Sequence, residues 1–197
     1  MKIEIKKLSP ELTEDYLAFF DNVAFTDNEE WDGCYCVWYH WNEALQEKFE
    51  QCQEASKKGF NRKLALNLIQ AGTLQGYLAY ADGCVAGWCN ANDKGSYESL
   101  NRDKCPELWE DAGCSDKVKA IVCYTIAPDM RQKGIATALL QRVCEDAEAE
   151  GYTYVEAYPG KDSSNVVRNY HGPFSLYEKI GFTKQIELEN QYIVRKY

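Results

Sequence analysis

The segment from Arg131 to Thr137, RQKGIAT, is the part of this chain best suited to bind a phosphate group. It stands between a strand-like and a helix-like run, so it leads into the first N–H groups of a helix, which have no partner within the helix. Those N–H groups and the positive end of the helix dipole attract anions. Gly134 and Ala136 leave the backbone open to a phosphate, and Arg131 and Lys133 add positive charge. An ordinary turn is the alternative interpretation.

Regular patterns on both sides of this turn favour the first interpretation. The apolar run KAIVCYTIAP before it predicts a central strand. Residues Thr137 to Glu150 have apolar side chains at helical spacing, and Gly151 ends the pattern. A strand-like run follows at Tyr152 to Tyr158, so residues 119–158 predict a β-α-β unit with parallel strands. Neither GxxxxGK[ST] nor GxGxxG occurs in the chain.

The rest of the chain predicts further strands and helices. Asp82-Gly83 between two apolar runs is a strong signal for a β-hairpin. The polar stretch from Asn90 to Lys117 shows no regular period and predicts a long loop. We also predict strands at 1–8, 182–188 and 191–197, and helices at 10–22, 42–56, 62–70 and 175–181.

The composition is typical of one globular domain. The 197 residues are 45% hydrophobic and 27% charged, which suits a single core. The net charge is −9 and the basic residues form no run, so we expect no nucleic-acid partner. No apolar run approaches the roughly 20 residues that span a bilayer, and the start MKIEIKKLSP lacks the apolar core of a signal peptide. We therefore expect a cytoplasmic protein with no membrane partner.

The nine cysteines predict neither a disulfide framework nor a metal site. Several lie within apolar runs, where cysteine behaves as a small buried hydrophobe. Only Cys34 and Cys36 are closely spaced, and His40 and His171 are the only histidines, so no zinc ligand set is evident. Cys123 has no histidine nearby in the sequence to activate it, which favours packing over a nucleophilic role.

Two motifs make the sequence resemble the GCN5-related N-acetyltransferases, the GNAT family. The first is the family's [RQ]-x-x-G-x-[GA] signature, which residues 131–136 match. In the family this signature follows a strand that ends in V-x-P, and here Ile126-Ala127-Pro128 stands in that place. The family's L-Y-E-K-x-G-F is met by Leu176 to Phe182. The resemblance is clearest over 76–182 and leaves 23–72 as a variable acceptor side. It implies one α/β domain over 1–197, with a central mixed, mostly antiparallel twisted sheet flanked by helices.

The resemblance also implies a reaction and a set of contacts. An acetyl group would pass from the cosubstrate acetyl-CoA to a primary amine of a small molecule or peptide by direct attack, with Tyr177 as proton donor to the departing thiolate. The strand backbone at Tyr124, Thr125 and Ile126 would bind the pantetheine arm and acetyl group. The pyrophosphate would lie against Arg131, Gln132, Lys133, Gly134, Ile135, Ala136 and Thr137.

The chain departs from the family pattern at two places. Many members have an asparagine seven residues before the motif tyrosine, where this chain has Tyr170. Many also have a glutamate base on the strand before V-x-P, whereas no carboxylate occurs between Val118 and Pro128. The candidates for a base on another element are Asp93, Glu98 and Glu156.

The aromatic segment WDGCYCVWYHW, from Trp31 to Trp41, is too rich in rings for an ordinary solvated loop. In the family, the N-terminal helices and their connection form one side of the acceptor cleft, so the resemblance implies an acceptor-binding wall here. Its aromatic faces could hold an amine by cation–π contact. A hydrophobic cluster that seals the sheet explains it equally well. The residues that we predict to contact the acceptor are Trp31, Tyr35, Trp38 and His40.

Two other classes of function compete with an acetyltransferase. A noncatalytic acyl-CoA-binding regulatory module would keep the turn without the chemistry, in line with Tyr170 and the missing glutamate. A cysteine-dependent redox protein would use the cysteines, but the chain has no CxxC. The sequence identifies neither the acceptor nor the oligomeric state, and a homodimer is one option.

Overall fold

A computed structural model describes residues 1–52, 56–109, 113, 116–162 and 169–197. Within these ranges the chain forms seven strands in one sheet and five α-helices. The strands are β1 (Ile3–Lys7), β2 (Gly76–Ala81), β3 (Cys84–Asp93), β4 (Val118–Ile126), β5 (Tyr154–Ala157), β6 (Thr183–Glu187) and β7 (Tyr192–Lys196). The helices are α1 (Thr13–Asn22), α2 (Glu43–Gln51), α3 (Lys57–Gln70), α4 (Ile135–Ala149) and α5 (Phe174–Glu178). None of these helices has both the length and the apolar composition needed to cross a bilayer.

The sheet has the order β1-β2-β3-β4-β5-β7-β6 and is antiparallel except between β4 and β5. This confirms the predicted mixed, mostly antiparallel sheet and the β4-α4-β5 unit with parallel strands. The β2–β3 hairpin also forms where it was predicted. Asp82 and Gly83 both have positive φ, at 48° and 90°, as the tightest hairpin turns require.

Helices cover both faces of the sheet. Alternate residues of β2 point to opposite sides, so Leu78 packs with α1 and α3 whereas Tyr77 packs with α4 and α5. Helix α1 buries Tyr16, Phe19 and Phe20 on the first side. The region between α1 and α2 belongs to this first core as well, so its aromatic residues take part in packing the sheet.

Several boundaries differ from the sequence-based expectation. Helix α3 begins earlier than predicted because the Ser56 side chain caps it by accepting from the Gly59 N–H at 3.1 Å. The predicted loop after Asn90 begins as strand, since β3 continues to Asp93. Buried partners make this possible: the Asn90 amide donates to the Cys36 carbonyl at 3.1 Å, and the Asn92 amide to the Thr73 carbonyl at 3.0 Å.

Strands β4 and β5 separate partway along β4. Their parallel pairing runs from Val118 and Tyr154 to Ile121 and Ala157, whereas β4 stays paired with β3 as far as Ile126. A bulge at Val122 shifts the β3–β4 register, so that Val122 and Cys123 both face the first core. Beyond Ile121, no strand of the described residues therefore lies beside one edge of β4.

A buried ion network joins β5, β7 and the turn after β3. The Glu156 carboxylate accepts from Lys94 Nζ at 2.5 Å, Arg195 Nε at 2.7 Å and the Tyr158 hydroxyl at 2.7 Å. The side chains of Glu156, Lys94 and Arg195 are 0%, 1% and 2% exposed. Their charges thus depend on one another, because water cannot solvate any of them.

We predict that Glu156→Gln lowers the free energy of unfolding by roughly 3–5 kcal/mol, since it leaves two buried cations without a full counter-charge. Urea denaturation measures this loss. The matched control is Glu187→Gln, which removes a 64%-exposed carboxylate paired with Lys161. We expect it to change stability by about 0–1 kcal/mol. Equal losses in the two variants would contradict the prediction.

Candidate functional site

The turn before α4 has the conformation of an anion-binding concavity. Gln132 and Gly134 have φ values of 61° and 83°, so left-handed residues alternate with right-handed or extended ones and successive N–H groups converge. Within the described part of the chain, no backbone carbonyl accepts a hydrogen bond from the N–H groups of residues 131–137. A side-chain carbon at Gly134 would meet no atom within 4 Å, so the space in front of the turn is open.

The free edge of β4 lies next to this turn. The Tyr124 N–H points to that edge and donates to the Tyr170 carbonyl at 2.6 Å. Because hydrogen-bonding direction alternates along a strand, the N–H of Ile126 points to the same edge. The Ala127 N–H points the other way and donates to the Ala86 carbonyl at 2.9 Å.

The turn and the free edge open into one cavity of about 740 Å³, here called the turn cavity. All the predicted cofactor-binding residues line it except Lys133, whose amine lies 3.7 Å from the sulfur of Met130. Two further lining residues were singled out for other reasons: Trp31 as an acceptor contact and Tyr170 at the position of the family's asparagine. Six others had no predicted role: Ala24, Phe25, Asn28, Cys34, Asn169 and Pro173.

An ion pair stands at the rim of the turn cavity. The Arg131 guanidinium binds both oxygens of Asp27, at 2.5 and 3.1 Å, and the two side chains are 33% and 39% exposed. This pair holds the pKa of Asp27 below its usual range. The charge of Arg131, one of the two positive charges predicted for the turn, is thus already compensated by a carboxylate from the loop after α1.

A second cavity, of about 1030 Å³, adjoins the first and is here called the aromatic cavity. Trp31 and Cys34 line both cavities and mark their junction. Trp38, a predicted acceptor contact, lines the aromatic cavity and is 61% exposed. Tyr35 and His40 differ from the expectation: both are buried and line neither cavity. Their side chains pack into the core, and the backbone at Tyr35 is left-handed.

The junction is formed by a constrained loop, Gly33 to Cys36. Tyr35 and Cys36 have φ values of 46° and 49°, a conformation that side chains such as these seldom adopt. Three buried side chains donate hydrogen bonds to its backbone carbonyls. The Asn61 amide donates to the Gly33 carbonyl at 2.8 Å, and the Tyr16 hydroxyl donates to the Tyr35 carbonyl at 2.5 Å. The Asn90 amide donates to the Cys36 carbonyl at 3.1 Å. These contacts stabilise the strained backbone and so fix Cys34 at the junction.

Tyr177 lies beneath the turn cavity. Its side chain is fully buried, and its hydroxyl donates to the His171 carbonyl. Its neighbours Ser175 and Leu176 line the cavity, but Tyr177 itself does not. Burial raises the pKa of Tyr177 well above its ordinary value, so the hydroxyl keeps its proton at neutral pH.

The other groups considered for chemistry lie in packed or paired positions. Cys123 lines the turn cavity, but a hydrogen bond with Cys36 and burial raise the pKa of its thiol, which disfavours a thiolate nucleophile. None of the three candidate bases lines either cavity. Glu156 belongs to the buried ion network, and Asp93 accepts from the Gly95 N–H at 2.9 Å.

Comparison with known proteins gives a family match and several similar folds. A model described as "Acetyltransferase (GNAT) family" matches residues 28–182. A search of curated proteins finds no match. Among solved structures, the chain is similar to the PaiA N-acetyltransferase of Thermoplasma acidophilum in complex with coenzyme A, with 19% identity, a TM-score of 0.55, and coverage of 100% of this chain and 99% of that one.

Two further solved structures are similar over almost the whole chain. An acetyltransferase of the GNAT family from Streptococcus pneumoniae has 16% identity and a TM-score of 0.54, with 99% of this chain and 98% of that chain covered. An N-acetyltransferase from Staphylococcus aureus Mu50 has 14% identity and a TM-score of 0.53, with 99% and 97% covered. At these identities the likeness shows a shared fold.

We predict that both histidines are neutral at pH 7, since burial lowers the pKa values of His40 and His171 to about 4. The unfolded chain, with a histidine pKa of about 6.5, binds more protons between these two values. Stability is therefore full above about pH 6.5 and falls as the pH drops toward 4. Titration of the ring protons by NMR should give midpoints near 4. Midpoints near 6.5 would contradict the prediction.

Proposed function

Because this chain belongs to the acetyltransferase (GNAT) family, as its two motifs predicted, we propose that it transfers an acetyl group from acetyl-CoA to a primary amine of a small molecule or peptide. The observation that carries the proposal is the turn cavity, in which a row of free N–H groups lies next to the open edge of a strand. A molecule with a pyrophosphate at one end and an amide-containing arm at the other matches both features.

We assign the pyrophosphate to the turn before α4. Its N–H groups are arranged before any ligand binds, so little reorganisation is needed to bind negative oxygens. Arg131 contributes less than its charge suggests, because a phosphate must compete with Asp27 for the guanidinium. The backbone of Gln132 and Gly134, rather than the basic side chains, is therefore the main support for this assignment.

We assign the pantetheine arm to the free edge of β4, where amide groups of the arm can pair with the strand like an added neighbour. The N–H of Ile126 faces this edge. The N–H of Tyr124 is bound to the Tyr170 carbonyl, so an arm that reaches it must displace that carbonyl or stop short of it. Tyr170 thus sets how far the acyl end can extend along β4.

The acceptor amine would enter through the aromatic cavity and meet the acetyl group near Trp31 and Cys34, where the two cavities join. A neutral amine attacks the thioester carbonyl and a C–N bond forms; the C–S bond then breaks, and the nitrogen loses one proton to water. The departing thiolate needs a proton, and we propose Tyr177 as its donor, since its hydroxyl remains protonated at neutral pH. That hydroxyl is buried and donates to the His171 carbonyl, so it must leave this partner and turn toward the turn cavity to reach the thiolate. Binding both substrates in adjoining cavities supplies their orientation.

A noncatalytic acyl-CoA-binding module is the second candidate function. Two observations favour it: the Tyr170 carbonyl occupies the Tyr124 N–H, and none of the three candidate bases reaches a cavity. The two functions differ in turnover. An acetyltransferase releases free coenzyme A steadily in the presence of a suitable amine, whereas a binding module takes up acetyl-CoA without release.

We predict that Gly134→Asp weakens acetyl-CoA binding far more than Arg131→Ala does. The new carboxylate would stand in the open space before the turn and repel the pyrophosphate, whereas Arg131→Ala removes a charge already paired with Asp27. Gly134→Asn is the matched control, because asparagine has the same shape without the charge and tolerates positive φ. Calorimetry should show the largest loss of affinity for Gly134→Asp, a smaller loss for Gly134→Asn and the smallest loss for Arg131→Ala. Unchanged affinity in folded Gly134→Asp would exclude the turn as the site.

We predict that Tyr177→Phe binds acetyl-CoA nearly as well as the parent but lowers kcat by roughly tenfold to a thousandfold, the usual contribution of a general acid. The change keeps the buried ring and removes only the hydroxyl. The assay requires an acceptor whose acetylated product is verified by mass. A parent-like kcat, with chemistry shown to be rate-limiting, would remove Tyr177 from the mechanism.

A further inference from the structure

The aromatic cavity is lined by more carboxylates than ammonium groups. It is lined by four carboxylates and two ammonium groups: Glu30, Asp32, Glu43, Glu47, Lys57 and Lys104. Asp32 is compensated by Lys58, at 2.8 Å. For Glu30, Glu43 and Glu47, no hydrogen bond or ion pair of the side chain is seen with any residue in the described ranges. Set against Lys57 and Lys104, these three carboxylates leave the cavity one negative charge in excess, which one ammonium group of a ligand would balance.

Aromatic rings line the same cavity. Trp31, Trp38, Trp41 and Phe49 all contribute to its wall. Trp41 and Phe49 pack edge to face at 5.8 Å, and both contact Phe60, which gives this part of the wall a fixed shape. Trp38 is 61% exposed although it is a large apolar side chain, so it is available to a ligand. Rings beside carboxylates form a site for an ammonium group with an alkyl chain.

Asn61 provides an independent sign of a ligand. This residue lines the cavity although it is only 4% exposed. Its amide nitrogen donates to the Gly33 carbonyl at 2.8 Å, which fixes the orientation of the amide group. Its oxygen is then left with no hydrogen-bond donor among the described residues. Buried acceptors are normally satisfied, and an ammonium group has three N–H donors, but this oxygen is covered by its neighbours and accepts from such a group only when they move aside.

We propose that the aromatic cavity binds a second cationic group of the acceptor, and that the preferred acceptor is a small unbranched alkyl diamine or longer oligoamine. One amine would react at the junction marked by Trp31 and Cys34, while the other is held by the carboxylates and rings of the cavity. This inference rests on the proposed acetyl transfer, because the reacting amine is placed by it. The inference goes beyond acetyl transfer because it requires two amino groups on one flexible chain.

The test compares butane-diamine with butylamine, which has the same length and one charge. We expect kcat/KM to be at least about tenfold higher for the diamine, and raised salt to reduce this preference. The double variant Glu43→Gln/Glu47→Gln should lower kcat/KM for the diamine by about five- to tenfold, with little change for butylamine or for acetyl-CoA. The control is Glu50→Gln, on the same helix, whose carboxylate pairs with Gln46 and does not line the cavity.

The outcomes separate the inference from the function on which it rests. Equal use of the two amines, unaffected by the double variant, would overturn the inference and leave acetyl transfer standing. If a dipeptide of two lysines shows the variant-sensitive preference and the diamine does not, the assignment to a small diamine is wrong. If no amine is acetylated although coenzyme A binds, the proposed function fails. In that case, calorimetry can test the second cation site without any acetyl transfer. It compares the affinities of the two amines for the unmodified chain and for the double variant.

Discussion

The separation of β4 from β5 after Ile121 is the constraint on which the candidate site depends. While the two strands are paired, every backbone group between them is used within the sheet. Once they separate, β4 is paired only with β3 among the described strands, and its other edge becomes available to a ligand. The Tyr170 carbonyl takes one position there, and two residues of α5 line the same cavity. The turn before α4 lies at the end of this edge because α4 must cross back over the sheet to begin β5.

Buried polar groups determine the details of the site to an unusual degree. The carbonyls of Gly33, Tyr35 and Cys36 are each bound by a side chain from a different element, so α1, α3 and β3 together fix the junction of the two cavities. The carboxylate of Glu156 similarly joins β5, β7 and the segment after β3. Satisfied networks of this kind select one arrangement of the backbone, because any other leaves a polar group buried without a partner.

Local signals were enough to predict much of the fold and most of the residues of the turn and of β4 that line the turn cavity. The Asp82-Gly83 turn, the strand before Pro128 and the periodicity of α4 all depend on residues close in sequence. The acceptor side of the site was harder to predict from the sequence. The aromatic composition of the segment grouped Tyr35 and His40 with Trp31 and Trp38, whereas the structure buries Tyr35 and His40 in the core, with positive φ at Tyr35 and Cys36. The roles of Asn61 and Asp27 carried no sequence signal, because their partners lie far away in the chain.

The ion pair between Arg131 and Asp27 has a consequence for communication between the two cavities. It ties the turn before α4 to the loop that leads, four residues later, to Trp31. A ligand that draws Arg131 away releases Asp27, and with it the one direct ion pair between that loop and the turn within the described residues. Trp31 is a wall of both cavities, so occupancy of one becomes energetically coupled to the shape of the other. Such coupling is reciprocal: whatever one ligand does to the affinity of the second, the second does equally to the first.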